Sequence, residues 1–190
     1  MYKRQERIRG AGVDVVETTA VAMDRPDGVI AYLVQPMLDP SSLGQNVLRA
    51  AKPDPDHPFL LAVARTLDVV TPNLSLDAQV TNFAWDGSKL TLVDVGTPFL
   101  WDDAGVLRFD MAPFVRMGPA LVRPLAVRGL TKLVSRWNDP RRVGIDIVAN
   151  LYREGLPEWV DATLMALNRQ LHPHDPITAC LLYTSPSPRD

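Results

Sequence analysis

The sequence predicts an α+β fold, in which β-hairpins and groups of helices alternate along the chain. Two pairs of strand-like segments, over residues 13–34 and 83–95, are each joined by a short turn. The segments between and after them carry apolar residues at helical spacing and are interrupted by prolines. The order hairpin, helices, hairpin, helices is typical of an α+β chain.

The first hairpin is predicted over residues 13–34. Residues 13–23 are rich in Val, Thr and Ala, which favour a strand. Asp24–Gly28 contains a proline and an Asp-Gly pair, a combination that predicts a turn. Gly28–Val34 is then the second strand, and the two prolines of Gln35–Pro40 end it.

Two helices are predicted between the hairpins. Ser41 or Ser42 suits the N-cap of a short helix that ends near Ala51. Pro58 suits the first turn of a second helix that reaches about Val70. The apolar stripe that this second helix is expected to bury comprises Phe59, Val63, Leu67 and Val70.

The second hairpin is predicted from Phe83–Trp85 and Lys89–Val95, which flank Asp86–Ser88. The character of the sequence changes after Gly96, and residues 110–171 carry helical patterns. The prolines expected to interrupt these helices are Pro119, Pro124, Pro140 and Pro157.

Composition narrows the range of functions. The 190 residues carry a formal net charge of −2, which provides no positive field for nucleic acid, so we expect no nucleic-acid partner. A single cysteine excludes a disulfide framework and a multi-cysteine zinc site. No apolar run reaches the roughly 18 residues of a membrane span, and no secretion signal is recognisable. We therefore expect a cytoplasmic protein without a membrane span, whose oligomeric state stays open.

Asp77, Asn82 and Asp94 form the one constellation suited to chemistry. If Asp86–Ser88 is a three-residue turn, Asn82 faces Leu92 and Asp94 is its diagonal neighbour on the same face, roughly 7–8 Å away at Cα. A two-residue turn would reverse that parity. Amide and carboxylate oxygens are hard ligands that suit Mg²⁺ held together with phosphates. Asp77, in the preceding loop, could accept a proton from an attacking hydroxyl.

The pattern Asp-x4-Asn, a hairpin and then Asp-x-Gly resembles the catalytic loop and metal-binding turn of the protein-kinase-like fold. Within that fold, the pattern is most similar to that of the aminoglycoside phosphotransferase and choline kinase group. The resemblance implies that Asp77 is the catalytic base and that Asn82 and Asp94 bind Mg²⁺ beside ATP.

A second part of the resemblance lies upstream. The segment Tyr32–Leu38 resembles the hinge between the two lobes of such proteins. By that resemblance, the Gln35 carbonyl and the Met37 N–H would bond the adenine edge of ATP. Pro36 falls between them, where no N–H is required.

The same resemblance implies a division of the chain. Residues 6–34 would be a remnant of the small lobe, and residues 35–40 the hinge. Residues 41–179 would be the mostly helical large lobe, with the catalytic-loop hairpin at 74–96.

Both ends of the chain resemble translated sequencing-adapter DNA. Residues 180–190 read CLLYTSPSPRD, which resembles the translation of a transposase sequencing adapter. Residues 1–5 read MYKRQ, which resembles the opposite strand of the same adapter. We therefore expect adapter-derived residues at 1–5 and 180–190 around a truncated natural segment, the alternative being a natural basic start and a natural Pro/Ser tail.

The departures from the family pattern leave two functions open. Ser75 stands two positions before Asp77, where a His or Tyr usually braces the loop. The glycine-rich phosphate loop, the strand Lys and the helix Glu would precede residue 6, so we expect this chain itself to be inactive. The first function is an ATP-dependent phosphotransferase acting on the hydroxyl of an unidentified small molecule. The alternative is a non-catalytic kinase-like module that binds a nucleotide or a protein.

Overall fold

The computed structural model describes residues 2–26, 28–77, 79–94, 101–102, 104, 129, 138–171 and 176–178. Helices and strands are mixed, which confirms the predicted α+β class. The predictions for Gly96, Pro119, Pro124 and residues 180–190 lie outside the described residues. In chain order the elements are α1 (Tyr2–Gly10), β1 (Asp14–Val15), β2 (Thr19–Arg25), β3 (Gly28–Val34), α2 (Gly44–Arg49), α3 (Pro58–Arg65), β4 (Phe83–Trp85), β5 (Leu90–Leu92), α4 (Pro140–Arg153) and α5 (Val160–Gln170).

Strands β2 and β3 form the predicted first hairpin. They pair antiparallel from Thr19 with Val34 to Arg25 with Gly28. The strand predicted over residues 13–23 is divided, because its first part forms β1 and joins the other sheet. Every residue of β2 and β3 is exposed, including the apolar ones, so the hairpin is a two-stranded ribbon with two accessible faces.

Strands β1, β5 and β4 form a three-stranded sheet in that order. β4 and β5 are the predicted second hairpin and pair antiparallel, with Phe83 opposite Leu92. β1 lies parallel to β5, with Asp14 opposite Thr91. β5 is therefore the central strand, and the chain beyond its C-terminal end reaches Asp94, one of the two predicted metal-binding residues.

The turn between β4 and β5 differs from the prediction. The Asp86 N–H donates to the Lys89 carbonyl at 3.3 Å, so the turn has two central residues, Gly87 and Ser88. Gly87 has φ of +101°, a conformation that glycine adopts readily. The Asp86 carboxylate accepts the N–H groups of both Ser88 and Lys89 and holds the turn closed. The three-residue turn assumed over Asp86–Ser88 is wrong, and the strand parity is reversed.

Helix α3 begins at Pro58 as predicted and buries its apolar stripe. It ends at Arg65, and a 3-10 helix over Thr66–Val69 continues its direction. The predicted stripe residues are all buried, namely Phe59, Val63, Leu67 and Val70. The helical period of these positions therefore identified the core face correctly.

Helix α2 is shorter than predicted and has a different beginning. A 3-10 helix, Pro40–Ser42, precedes it, and Asp39 caps that helix by accepting the Ser41 N–H at 2.8 Å. The N-cap residue of α2 itself is Leu43, which makes no side-chain capping bond, so the prediction of Ser41 or Ser42 as the N-cap is wrong.

Helices α4 and α5 follow the predicted proline positions. Pro140 is the first residue of α4, and Pro157 begins the 3-10 helix before α5. α5 packs against both α3 and α4, and the core lies among these helices and the inner side of the three-stranded sheet. Within the described ranges, no helix combines the length and apolar character needed to cross a bilayer. The largest fully buried side chains include Phe59, Phe83, Ile145, Leu151 and Trp159.

Candidate functional site

The loop that carries Asp77 is fixed to the core on its N-terminal side. Leu74, Ser75 and Leu76 are all buried, whereas Asp77 is half-buried. A 3-10 helix over Val80–Asn82 then returns the chain to the core and leads into β4. The loop thus presents the Asp77 carboxyl group at the rim of the core, on a backbone that is held at both ends.

A chain of three hydrogen bonds through Val93 joins three of the five predicted site residues. The Asn82 side-chain Nδ2 donates to the Asp77 carbonyl at 2.9 Å. The Val93 N–H donates to the Asn82 carbonyl at 2.7 Å. The Gln35 side-chain Nε2 donates to the Val93 carbonyl at 2.9 Å. Asp94 is the next residue after Val93, so the loop, the hairpin end and the segment after β3 meet at one place.

The nearness of Asn82 and Asp94 has a different cause from the one predicted. With the two-residue turn, Asn82 aligns with Val93, not with Leu92. The diagonal-neighbour argument is therefore wrong. Asn82 lies in a 3-10 helix and Asp94 lies beyond the end of β5, so strand alternation does not govern either side chain. The Val93–Asn82 main-chain bond brings the two residues together instead.

The donor groups of this site suit a hard divalent cation. The Asn82 amide uses its Nδ2 on a carbonyl, and this orientation leaves Oδ1 as the acceptor atom for a ligand. Asp94 is exposed and contributes a carboxylate. Two such oxygens are typical of Mg²⁺ sites that are completed by water and substrate phosphates. The described residues include no group of three or more His, Cys, Asp or Glu side chains that could hold a metal without such help.

The Asp77 carboxyl group has a neighbour within its own loop. The Gln79 side-chain Nε2 donates to Asp77 Oδ1 at 3.0 Å. This bond orients the carboxylate and occupies one lone pair of Oδ1. Asp77 is therefore held both at its carbonyl, by Asn82, and at its carboxylate, by Gln79.

The two predicted adenine-binding residues differ in their surroundings. Gln35 is half-buried, and its Nε2 also donates to the Thr18 hydroxyl at 3.1 Å, so it ties the hairpin β2–β3 to the end of β5. Met37 is 99% exposed and takes no part in the chain of hydrogen bonds. The structure thus brings Gln35 to the site through its side chain and leaves Met37 at the surface.

Glu154 is a member of the site region that the sequence did not indicate. Its Oε1 accepts a hydrogen bond from the Thr81 hydroxyl at 3.2 Å, and its carbonyl accepts one from Arg49 Nη2 at 2.7 Å. The pKa of Glu154 is raised from 4.5 to about 7, mainly by burial and to a smaller extent by the negative charge of Asp77. The bonds from Thr81 and the charge of Arg49 act in the opposite direction. No local sequence pattern predicts that Glu154 belongs to the site, because its partner Thr81 lies 73 positions away.

Fold and site together define an α+β protein whose polar groups gather where a loop, a hairpin end and an extended segment meet. Residues 2–187 match the family of unknown function DUF6206, and the chain belongs to this family. No curated protein and no solved structure matches the chain. A functional interpretation therefore depends on the geometry of the site.

Proposed function

We propose that this chain is part of an ATP-dependent phosphotransferase of the protein-kinase-like fold that acts on a small-molecule hydroxyl. The chain of hydrogen bonds from Gln35 through Val93 and Asn82 to Asp77 is the observation that carries the proposal. It joins a candidate base, a candidate cation ligand and the hinge-like segment, which are parts that phosphoryl transfer from ATP uses.

Each residue has a distinct role in this proposal. Asn82 Oδ1 and the Asp94 carboxylate would hold Mg²⁺, and the chemistry that this ion would supply is neutralisation of the phosphate charge of ATP. The acceptor oxygen forms a bond to the γ-phosphorus, and the bond from that phosphorus to the bridging oxygen of ADP breaks. Asp77 receives the hydroxyl proton and orients the attacking oxygen.

The adenine contacts in the proposal are main-chain groups. The Gln35 carbonyl and the Met37 N–H would bond the adenine edge. The exposure of Met37 supports this role, since its main chain is accessible to a ligand. The bond from the Gln35 side chain to Val93 supports it further, because it keeps the hinge-like segment beside the candidate cation site.

A second candidate function is a non-catalytic module that binds a nucleotide or a protein. The bond from Gln79 to Asp77 Oδ1 favours it, because that oxygen already accepts one hydrogen bond. That oxygen is therefore less available to receive the proton of an attacking hydroxyl.

Titration of the purified chain with ATP tests the proposal. Wild-type chain, Asp94→Asn and the control Asp24→Asn are titrated by calorimetry with Mg²⁺ and again with a chelator. Asp24 lies in the exposed ribbon and takes no part in the site's hydrogen bonds, so its variant removes the same charge elsewhere. We expect Mg²⁺-dependent binding that only Asp94→Asn abolishes. Equal binding with chelator would contradict the metal assignment, and absence of nucleotide binding would contradict both nucleotide proposals.

A further inference from the structure

Glu154 joins three segments that are distant in sequence. Its N–H bonds to the Asn150 carbonyl at 2.9 Å and closes helix α4. Its carboxyl group accepts the Thr81 hydroxyl bond, and its carbonyl accepts the Arg49 side chain from the end of α2. The end of α4 is therefore attached both to α2 and to the loop that holds Asp77.

The carboxyl group of Glu154 lies largely inside the protein. Its Oε2 is buried and has no hydrogen-bond partner in the part of the chain that the structure describes. A buried carboxyl oxygen without a partner is unfavourable for folding. The charged groups facing the carboxyl group are Arg49 from α2 and Asp77 from the loop, and burial keeps the group partly protonated near neutral pH.

The bond from Thr81 to Glu154 lies one residue away from the candidate site. Thr81 directly precedes Asn82, whose side chain holds the Asp77 carbonyl. A fixed Thr81 therefore restricts the backbone of Asn82 and, through it, the position of Asp77.

We propose that Glu154 is a positioning residue of this site, holding the loop of Asp77 and Asn82 through Thr81 from the end of helix α4. The inference rests on the proposed function for what the loop does, but the brace itself is a statement about structure. Glu154 contacts neither substrate nor reacting atoms in this role.

Hydrogen exchange measured by NMR tests this brace directly. The reporters are the N–H groups of Asn82 and Val93, which bond to main-chain carbonyls in the site. The variants Glu154→Ala and Thr81→Val remove the bond, whereas Glu154→Gln and Thr81→Ser keep an acceptor and a hydroxyl. We expect about ten-fold faster exchange of both reporters in the first pair and wild-type exchange in the second, as for the loss of one hydrogen bond. The N–H of Val70, which is bonded elsewhere, serves as the control for global stability.

The outcomes separate this inference from the proposed function. Unchanged exchange of the reporters in Thr81→Val would overturn the brace, even if Glu154→Ala failed to fold. Equal acceleration at Val70 would also overturn it, because the effect would then be global. Nucleotide binding is measured on the same samples, and a wild-type chain that binds no Mg²⁺–ATP would contradict the proposed function while the exchange comparison still decides the role of Glu154.

Discussion

The side-chain amide of Asn82 donates a hydrogen bond to the main-chain carbonyl of Asp77 at 2.9 Å. One amide thereby connects the two ends of the loop and fixes its own orientation, since only Nδ2 can donate. The oxygen of the amide is then left as the acceptor atom. One side chain therefore has two roles: its Nδ2 shapes the loop, and its Oδ1 is a candidate ligand for a cation.

Substitution of Asn82 by Asp separates these two roles. The variant keeps an oxygen ligand but removes the donor, so the Asp77 carbonyl loses its bond. We expect a loss of about 1 kcal/mol in the free energy of unfolding, measured by urea denaturation without metal. Asn82→Ala removes ligand and donor together and is the matched comparison. Excess Mg²⁺ with ATP is expected to restore part of the loss in Asn82→Asp only, and equal behaviour of both variants would contradict the ligand role.

Gly44 is expected to be intolerant of any larger residue. A Cβ at this position would lie 2.5 Å from Phe59 Cζ and closer still to the Val80 carbonyl oxygen. Because Val80 belongs to the loop that carries Asn82, its backbone cannot move without disturbing the site. Gly44→Ala is therefore expected to lower the free energy of unfolding by about 2 kcal/mol.

Gly10→Ala provides the control for this prediction. Gly10 is the last residue of α1, and a Cβ there would meet nothing within 4 Å. The variant is expected to be neutral or to stabilise the protein by roughly 0.5 kcal/mol. Similar thermal midpoints for Gly44→Ala and the wild type would show that the packing around Gly44 yields easily.

Folding stability is expected to depend on pH through Glu154. Its pKa is raised from 4.5 to about 7 in the folded protein. The group therefore contributes stability that is complete below pH 4.5 and is lost as the pH rises through 7. Urea denaturation between pH 5 and 8 should show the wild type losing stability relative to Glu154→Gln, which stays neutral.

The comparison with Glu154→Gln is necessary because the ionisation of His57 also makes the folding stability depend on pH. Burial lowers the pKa of His57 from 6.5, so its contribution is lost as the pH falls and has the opposite sign. Both proteins contain His57, and their difference isolates Glu154. Parallel stability profiles of the two proteins would contradict the prediction.

Gln35 is expected to stabilise the junction between the ribbon and the sheet. Its Nε2 bonds both the Val93 carbonyl and the Thr18 hydroxyl, and Gln35→Met removes both bonds at similar volume. We expect a loss of about 1–2 kcal/mol in the free energy of unfolding. Met37→Ala, which truncates an exposed side chain, should change stability by less than about 0.5 kcal/mol. A neutral Gln35→Met would show that these bonds are replaced by water.

Local patterns predicted most of the elements, because their causes lie within a few residues. The spacing of Phe59, Val63 and Leu67 identified the buried face of α3, since burial follows the period of the helix. The position of the turn after β4 was predicted correctly, but its length was not: it has two central residues instead of three. Asp86 decides that length by accepting two N–H groups with one carboxylate, a contact that composition alone does not reveal.

The candidate site was predictable only in part, because sequence patterns report contacts between residues that are close along the chain. Asp77 and Asn82 lie in one loop, so their spacing carries information about their contact. The attachment of Thr81 to Glu154 depends on how α4 packs, and nothing near either residue encodes it. Side chains that act across the fold have no sequence period and are found only in three dimensions.

The parallel pairing of β1 with β5 sets the order in which the molecule can assemble. β4 and β5 are neighbours in sequence, so their pairing closes a small loop and can form early. β1 must be brought back across most of the first half of the chain before Asp14 meets Thr91. We expect this slow closure to convert β5 from an edge strand into an interior one, and the end of β5 to become rigid only at this late step.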